Sequence, residues 1–158
     1  MPDCCAILDL RDAPGFAEIV AYRVWRAWWK DEGVPFAALK ARLSESLGPS
    51  EAAIPTSFIA CRGAEFLGTV ALIASDVEER PGLTPWVAAL WVEEPARAQG
   101  IGQALLTHAS DVAFAAGHAG LYLCATAANA PYYARRGWKR IERDVDGVDI
   151  FMRERDDA

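Results

Sequence analysis

Apolar residues in the first third of the chain recur at spacings of three and four, which is the period of an α-helix. Residues 5–10 are predicted as a short first strand, and the segment Asp12-Ala13-Pro14 is typical of a helix start. The core-facing stripe of the helix that follows is predicted to contain Phe16, Ile19, Val20, Val24, Ala27 and Trp28. Gly33 and Pro35 end this helix.

A second short helix follows, with its apolar stripe at Phe36, Leu39, Leu43 and Leu47, and the pair Gly48-Pro49 is expected to stop it. From residue 56 the pattern changes to that of strands. Three are predicted, over residues 56–61, 66–74 and 86–92, with a turn at 62–65. Residues 75–85 are polar and contain Pro81 and Gly82, so they are expected to form an exposed loop.

The second half alternates helices with strands. A helix is predicted from residue 102 to about 116, with one face formed by Ile101, Leu105, Val112 and Ala116. Then come a strand at 121–124, a short helix at 130–136, and strands at 138–142 and 148–153 joined by an Asp146-Gly147 turn. The order βααβββαβαββ predicts an α/β fold with one mixed sheet, in a single domain over residues 1–158.

Composition narrows the function classes. The chain has 158 residues, of which 53% are hydrophobic, enough for one sizeable core. Its net charge of −6 argues against nucleic-acid binding. No apolar run approaches the roughly 20 residues that span a bilayer, and the first residues lack the basic region of a signal peptide, so we expect a cytoplasmic protein without membrane contact. Cys4, Cys5, Cys61 and Cys124 lack metal-ligand spacing and are interpreted as reduced, non-catalytic thiols.

The segment Arg97-Ala98-Gln99-Gly100-Ile101-Gly102, between a predicted strand and a predicted helix, suits a phosphate group. Glycines let an anion approach the backbone, and the first N–H groups of a helix have no acceptor within the helix. The third glycine of a dinucleotide-binding fingerprint is absent, since Leu105 stands there, and so is the Gly-Lys-Ser/Thr of a Walker loop. Simple helix–strand packing remains the alternative.

The segment resembles the R/Q-x-x-G-x-G/A motif of the GNAT superfamily of N-acetyltransferases, matched by Arg97, Gly100 and Gly102. Tyr133 to Trp138 is similar to that family's Y-x-x-x-G-F/W motif, and residues 90–92 resemble its bulged fourth strand. The resemblance implies the GNAT fold with acetyl-CoA as co-substrate. The residues it assigns to the cofactor are Leu90, Trp91, Val92, Arg97, Ala98, Gln99, Gly100, Ile101, Gly102, Gln103 and Asn129.

Acetyl transfer requires an oxyanion stabiliser and a proton for the departing thiolate. Backbone N–H groups of residues 90–92 are candidates for the first role, and Tyr133 for the second, because a thiol and a phenol have comparable pKa values. The motif spacing selects Tyr133 over Tyr132, which is expected to pack. Ala98 stands at a common glycine position of the loop, and a backbone donor there tolerates alanine if its φ is negative.

The base and the acceptor pocket are less specified. Glu93, Asp76, Glu78 and Glu79 are candidates to receive the amine's proton or hold its charge, although each also suits an ordinary solvated carboxylate. Trp25, Trp29 and Trp86, with Tyr22, are candidate pocket walls for a cationic amine. The alternative is that the aromatics of the first helix pack against the helix that contains Phe36 and Leu39.

The sequence therefore predicts an acetyl-CoA-dependent N-acetyltransferase that acts on a primary amine, either a small molecule or a peptide, by direct transfer in a ternary complex. A covalent acyl-enzyme is not expected, because no cysteine lies in an activating motif. A CoA-binding regulatory domain without catalysis is the main alternative. Another acyl donor or a hydroxyl acceptor is a third hypothesis. No metal is expected, and a homodimer is compatible with the composition.

Overall fold

One seven-stranded sheet organises the protein, as seen in a computed structural model that describes residues 5–45, 47 and 52–155. The predicted Gly48-Pro49 stop and Cys4 lie outside the described residues. The strands are β1 (Ala6–Asp9), β2 (Thr56–Arg62), β3 (Glu65–Ile73), β4 (Trp86–Val92), β5 (Gly120–Ala125), β6 (Lys139–Val145) and β7 (Val148–Glu154). The helices are α1 (Ala17–Val24), α2 (Phe36–Glu45), α3 (Ile101–Ala115) and α4 (Ala130–Ala134).

The strands lie in the order β1-β2-β3-β4-β5-β7-β6. All neighbours are antiparallel except β4 and β5, which are parallel and are connected through α3. The predicted element order and the mixed α/β class are confirmed. None of the helices in the described ranges is long and apolar enough to cross a membrane.

The two faces of the sheet are covered by different helices. The larger core lies between α3 and one face, where Leu105, Leu106 and Ala109 pack against Val70, Leu72 and other strand residues. On the opposite face, Val20 of α1 packs with Ile59, Cys61 and Phe66. A helix that follows β4 and a pair of helices that precedes β2 thus enclose the middle of the sheet.

The predicted stripe of the first helix is wrong at its C-terminal end. Val20 is buried, but Ala27 and Trp28 are exposed. Trp25–Trp29 form a π-helical turn, in which the Lys30 N–H donates to the Trp25 carbonyl at 2.8 Å. A π turn contains more residues per turn than an α-helix, so a stripe extrapolated at 3.6 residues per turn points away from the core beyond residue 24.

Several boundaries also differ from prediction. Residues 10–12 and 14–16 are 3₁₀ turns instead of strand end and helix start. Ala116 follows the end of α3 and is exposed, while Ala109 and Ala113 complete the buried face. Trp138 was predicted to begin β6, but its N–H bonds back to the Tyr133 carbonyl at 3.3 Å, so the strand starts one residue later. In the polar loop 75–85, Val77 and Pro85 are buried.

Candidate active site

Between β4 and β5 the sheet opens. The two strands are in register at one pair, Trp86 and Tyr122, next to which the Tyr122 N–H donates to the Pro85 carbonyl at 3.0 Å. By contrast, β5 pairs with β7 along its whole length, from Gly120 to Ala125. Past the first pair, the facing edges of β4 and β5 therefore do not bond to each other, and their backbone groups line a gap.

The strand β4, which borders this gap, has a bulge in its pairing with β3. Thr69 of β3 lies opposite Trp91, but Ala71 lies opposite Ala88, so β4 contains one more residue than β3 in this interval. Ala89 in the bulge has φ +54°, in the left-handed region. A bulge interrupts the ladder and re-aims backbone groups. The bulge that the resemblance implied is therefore present, at the middle of the strand.

The glycine loop leads directly into α3. Gly100 is the N-cap residue with φ +82°, and the space where a Cβ would stand has no other atom within 4 Å. The first bond of the helix runs from the Ala104 N–H to the Gly100 carbonyl at 3.0 Å. The N–H groups of Ile101, Gly102 and Gln103 precede it and have no acceptor within the helix, which leaves three donors for an anion.

Two loop residues differ from expectation. Ala98 has φ +64°, so the condition under which alanine is tolerated there, a negative φ, is not met, and the loop holds an alanine in a conformation that favours glycine. Gly102 is buried, and a Cβ there would lie 2.5 Å from the Tyr132 hydroxyl oxygen. The absence of a side chain at Gly102 therefore makes room for Tyr132 of α4, whereas Gly100 leaves open space.

The two arginines near this loop are partly engaged. Arg97 Nε donates to the Val92 carbonyl at 2.9 Å, and its guanidinium carbon lies 4.8 Å from the centre of the Trp91 ring. Arg136 stacks on the Tyr132 ring at 3.6 Å and donates from Nη1 to the Tyr132 carbonyl at 2.8 Å. Arg97 remains exposed, so its terminal nitrogens lie at the solvent edge of the loop.

The other assigned polar residues lie at the margins. Gln99 donates from Nε2 to the Pro95 carbonyl at 3.3 Å, and Gln103 donates from Nε2 to Thr107 Oγ1 at 3.1 Å. Asn129 is exposed at the start of α4.

Tyr133 of α4 is half-buried, with its ring 5.2 Å from Tyr132 in an edge-on arrangement and 6.3 Å from Phe151 of β7. Burial raises the pKa of its phenol to about 12, and the neighbouring Tyr132 and Cys124 add to this effect. Tyr133 is therefore fully protonated at neutral pH. It can donate a proton but is a poor base.

Cys124 was interpreted from sequence as a reduced, non-catalytic thiol, and in the structure it influences the pKa of Tyr133 and contacts a candidate carboxylate. Its Sγ donates to Asp76 Oδ2 at 3.2 Å. Burial and Asp76 raise the pKa of the thiol to about 12. The alternation of side chains along β5 could have indicated this position of Cys124. Leu121 and Leu123 are buried on the α3 side of the sheet, so Cys124, the next residue, lies on the opposite face.

Of the other candidate carboxylates, Glu93 is held in an ion pair. Arg23 Nε of α1 donates to Glu93 Oε1 at 2.5 Å, and both side chains are largely buried. Glu78 and Glu79 are exposed on the loop that precedes β4. The structure therefore brings Asp76 close to Cys124, ties Glu93 to α1, and leaves the other two in solvent.

Of the aromatic residues predicted as pocket walls, Trp25 and Trp86 pack within the protein instead. Trp25 contacts Tyr22 and Phe36, with ring centres 5.9 and 5.6 Å apart, and donates from Nε1 to the Val34 carbonyl at 2.6 Å. Trp86 has no exposed surface and bonds to the Leu83 carbonyl at 2.6 Å. The packing alternative is thus correct for Trp25, and Trp86 belongs to the core. Trp29 lies half-buried in the π turn.

A cavity of about 80 Å³, which the sequence analysis did not foresee, lies between the α1–α2 pair and the sheet. It reaches the bulge residue Ala89. Among the described residues no cluster of three histidine, cysteine or acidic side chains is arranged to hold a metal ion.

Comparisons with known proteins agree with this geometry. The Acetyltransferase (GNAT) family matches residues 10–138. A putative GNAT-family acetyltransferase from Desulfovibrio desulfuricans superimposes with TM-score 0.72 at 17% identity, covering 96% of this chain and 99% of that chain. An acetyltransferase from Streptococcus agalactiae gives 0.71 at 14% identity, covering 98% and 100%.

A more distant likeness is to N-acetylglutamate synthase from Neisseria gonorrhoeae, solved with coenzyme A and L-arginine. The TM-score is 0.52 at 23% identity, covering 62% of this chain and 24% of that one. No curated protein sequence matches the chain. The family match spans the opened sheet, the glycine loop and Tyr133 together, and the chain belongs to the acetyltransferase (GNAT) family.

Proposed function

We propose that the chain is an acetyl-CoA-dependent N-acetyltransferase that transfers the acetyl group directly to a primary amine in a ternary complex. The observation that carries this proposal is the gap between the bulged strand β4 and β5, with Tyr133 close enough to Cys124 of β5 for that thiol to affect its pKa. The three described cysteines are free thiols, as expected in a reducing compartment, and we assign the enzyme to the cytoplasm.

The residues at the glycine loop fit coenzyme A. The first-turn N–H groups of α3 and the guanidinium of Arg97 suit its phosphates. Gln103 Oε1 is buried and has no hydrogen-bond partner among the described residues. A donor group on the ligand would supply the hydrogen bond that this oxygen lacks. The unpaired edge of β4, residues 90–92, suits the amide groups of the pantetheine arm. Acetyl-CoA supplies the acetyl group as a thioester.

We assign to Tyr133 the proton that the departing thiolate requires. With its pKa near 12, the phenol is a weaker acid than free tyrosine. Burial also disfavours a thiolate, so a thiolate that leaves beside the buried phenol accepts its proton more readily than a thiolate in water does.

Asp76 and Glu93 are the two carboxylates proposed for the amine. Asp76 lies against Cys124, which is close enough to Tyr133 to affect its pKa, so we assign ammonium binding to Asp76. Glu93 Oε1 is occupied by Arg23, and proton transfer to Glu93 would have to compete with that ion pair. Backbone N–H groups freed by the bulge are proposed to stabilise the oxyanion.

The test compares wild type with Tyr133→Phe and, as a matched control, Tyr132→Phe. Thiol release from acetyl-CoA is measured across a panel of primary amines, and coenzyme A binding is measured by calorimetry. We expect Tyr133→Phe to lower kcat about 100-fold, the usual value of one general acid, with unchanged coenzyme A affinity. Tyr132→Phe is expected to retain kcat within a few-fold.

Other results would have defined meanings. Tight binding of coenzyme A without release from any amine would favour the regulatory-domain alternative. Absence of coenzyme A binding would contradict the proposed function altogether. Equal loss of kcat in both variants would contradict the specific role of Tyr133.

A further inference from the structure

The cavity next to the bulge is almost entirely apolar. Its volume is about 80 Å³, and it is lined by Val20, Ala21, Val24, Leu39, Leu43, Ser57, Thr69, Ala71 and Ala89. None of these side chains is charged. Of the two hydroxyls, that of Thr69 already donates to the Phe58 carbonyl at 2.9 Å. A ligand group in this cavity would therefore meet aliphatic carbon on nearly every side.

The cavity lies on the face of the sheet opposite α3. Ala71 and Thr69 alternate along β3 with Val70 and Leu72, which pack against α3. The phosphate-binding end of α3 is thus separated from the cavity by the sheet. Ala89 belongs to both the bulge of β4 and the cavity wall, so the cavity adjoins the strand that borders the gap. A molecule that occupies the cavity would meet the reacting thioester from the side opposite the cofactor's phosphates.

We infer that this cavity binds the apolar substituent of the acceptor, and that the acceptor is a primary amine with a short, branched aliphatic group. The inference rests on the proposed function and names its substrate class. An engineered apolar cavity of roughly 150 Å³ binds benzene, so 80 Å³ suits a group of about three or four carbons. A second ammonium group would be buried there without a partner, which excludes polyamines from this mode of binding.

The expected discrimination follows from buried area. Each buried methylene favours binding by about four-fold, so three additional carbons correspond to roughly 50-fold in kcat/KM. We therefore expect 3-methylbutylamine to exceed ethylamine by about 50-fold. It should also exceed 1,3-diaminopropane, which places an ammonium group where a terminal methyl group of 3-methylbutylamine would lie.

The experiment uses Ala71→Val, which fills much of the cavity from a strand position, and Ala6→Val, an exposed strand residue of β1, as the matched control. Two readouts are taken with each amine: kcat/KM with acetyl-CoA, and the methyl NMR shifts of Val20, Val24, Leu39 and Leu43 with and without coenzyme A. We expect Ala71→Val to lower kcat/KM for 3-methylbutylamine at least ten-fold, to leave ethylamine and the KM of acetyl-CoA unchanged, and to abolish the shifts. Ala6→Val should behave as wild type.

The binding readout separates this inference from the proposed function. If an amine shifts the methyl signals but no amine is acetylated, the apolar subsite is supported and the proposed transferase function is refuted. Turnover that does not depend on the aliphatic group, or shifts that persist in Ala71→Val, would overturn the inference. It would also be overturned if Ala71→Val impaired butyryl-CoA relative to acetyl-CoA, because the cavity would then hold the donor's acyl chain.

Discussion

At the scale of single residues, Ala98 stands out because its φ of +64° is unfavourable for a residue with a Cβ. The left-handed conformation costs about 1–2 kcal/mol, whereas glycine at this position would lose roughly 0.5–1 kcal/mol through unfolded-state entropy. We expect Ala98→Gly to raise the free energy of unfolding by about 0.5–1 kcal/mol, measured by urea denaturation.

A matched control is available in the following helix. Ala104 is an exposed residue of α3, where glycine costs about 1 kcal/mol, so Ala104→Gly should destabilise the protein. Destabilisation by both substitutions would contradict the backbone strain assigned to Ala98.

Also at the residue scale, Cys124 makes stability depend on pH. Its pKa is raised from the usual 9.0 to about 12 by burial and by Asp76. The folded thiol therefore keeps its proton while the unfolded thiol loses it, so stability that is complete below pH 9 declines as the pH rises towards 12. We expect the free energy of unfolding to fall less between pH 8 and pH 10.5 in Cys124→Ala than in wild type. The exposed Cys5 serves as control, since Cys5→Ala should decline as wild type does.

At the scale of elements, the ion pair between Arg23 and Glu93 joins α1 to the end of β4. Its side chains are 27% and 20% exposed, so solvent screens it only in part. In a double-mutant cycle of Arg23→Gln and Glu93→Gln, we expect a coupling of about 0.5–1 kcal/mol in the free energy of unfolding.

The same variants test the candidate base. If Glu93 mainly holds α1 in place, we expect Glu93→Gln to retain kcat within about five-fold. The control is Glu94→Gln at the neighbouring exposed residue, which should change neither kcat nor the free energy of unfolding. A loss of 100-fold or more that a more alkaline pH reverses would instead identify Glu93 as the base.

For the whole molecule, the candidate site exists because β4 and β5 pair at Trp86 and do not pair beyond it. The glycine loop was predictable because glycines before a helix form a short local pattern, whereas the bulge of β4 and the choice of Tyr133 came from the resemblance of short motifs to those of the family. The cavity was not predictable, because its lining comes from α1, α2 and three strands. The same holds for Cys124, whose effect on Tyr133 depends on how far β5 lies from α4.

The sequence by itself determined the order of elements, the mixed sheet and the position of the glycine loop before α3, since these follow from periodicity and glycine placement over a few residues. Only the tertiary structure decided which side chains meet. In the folded protein a π turn exposes Trp28, Trp86 is buried, and Glu93 forms an ion pair with Arg23. An apolar cavity lies beside Ala89. The physical reason is that local patterns fix backbone conformation, whereas contacts between distant segments depend on how the elements pack.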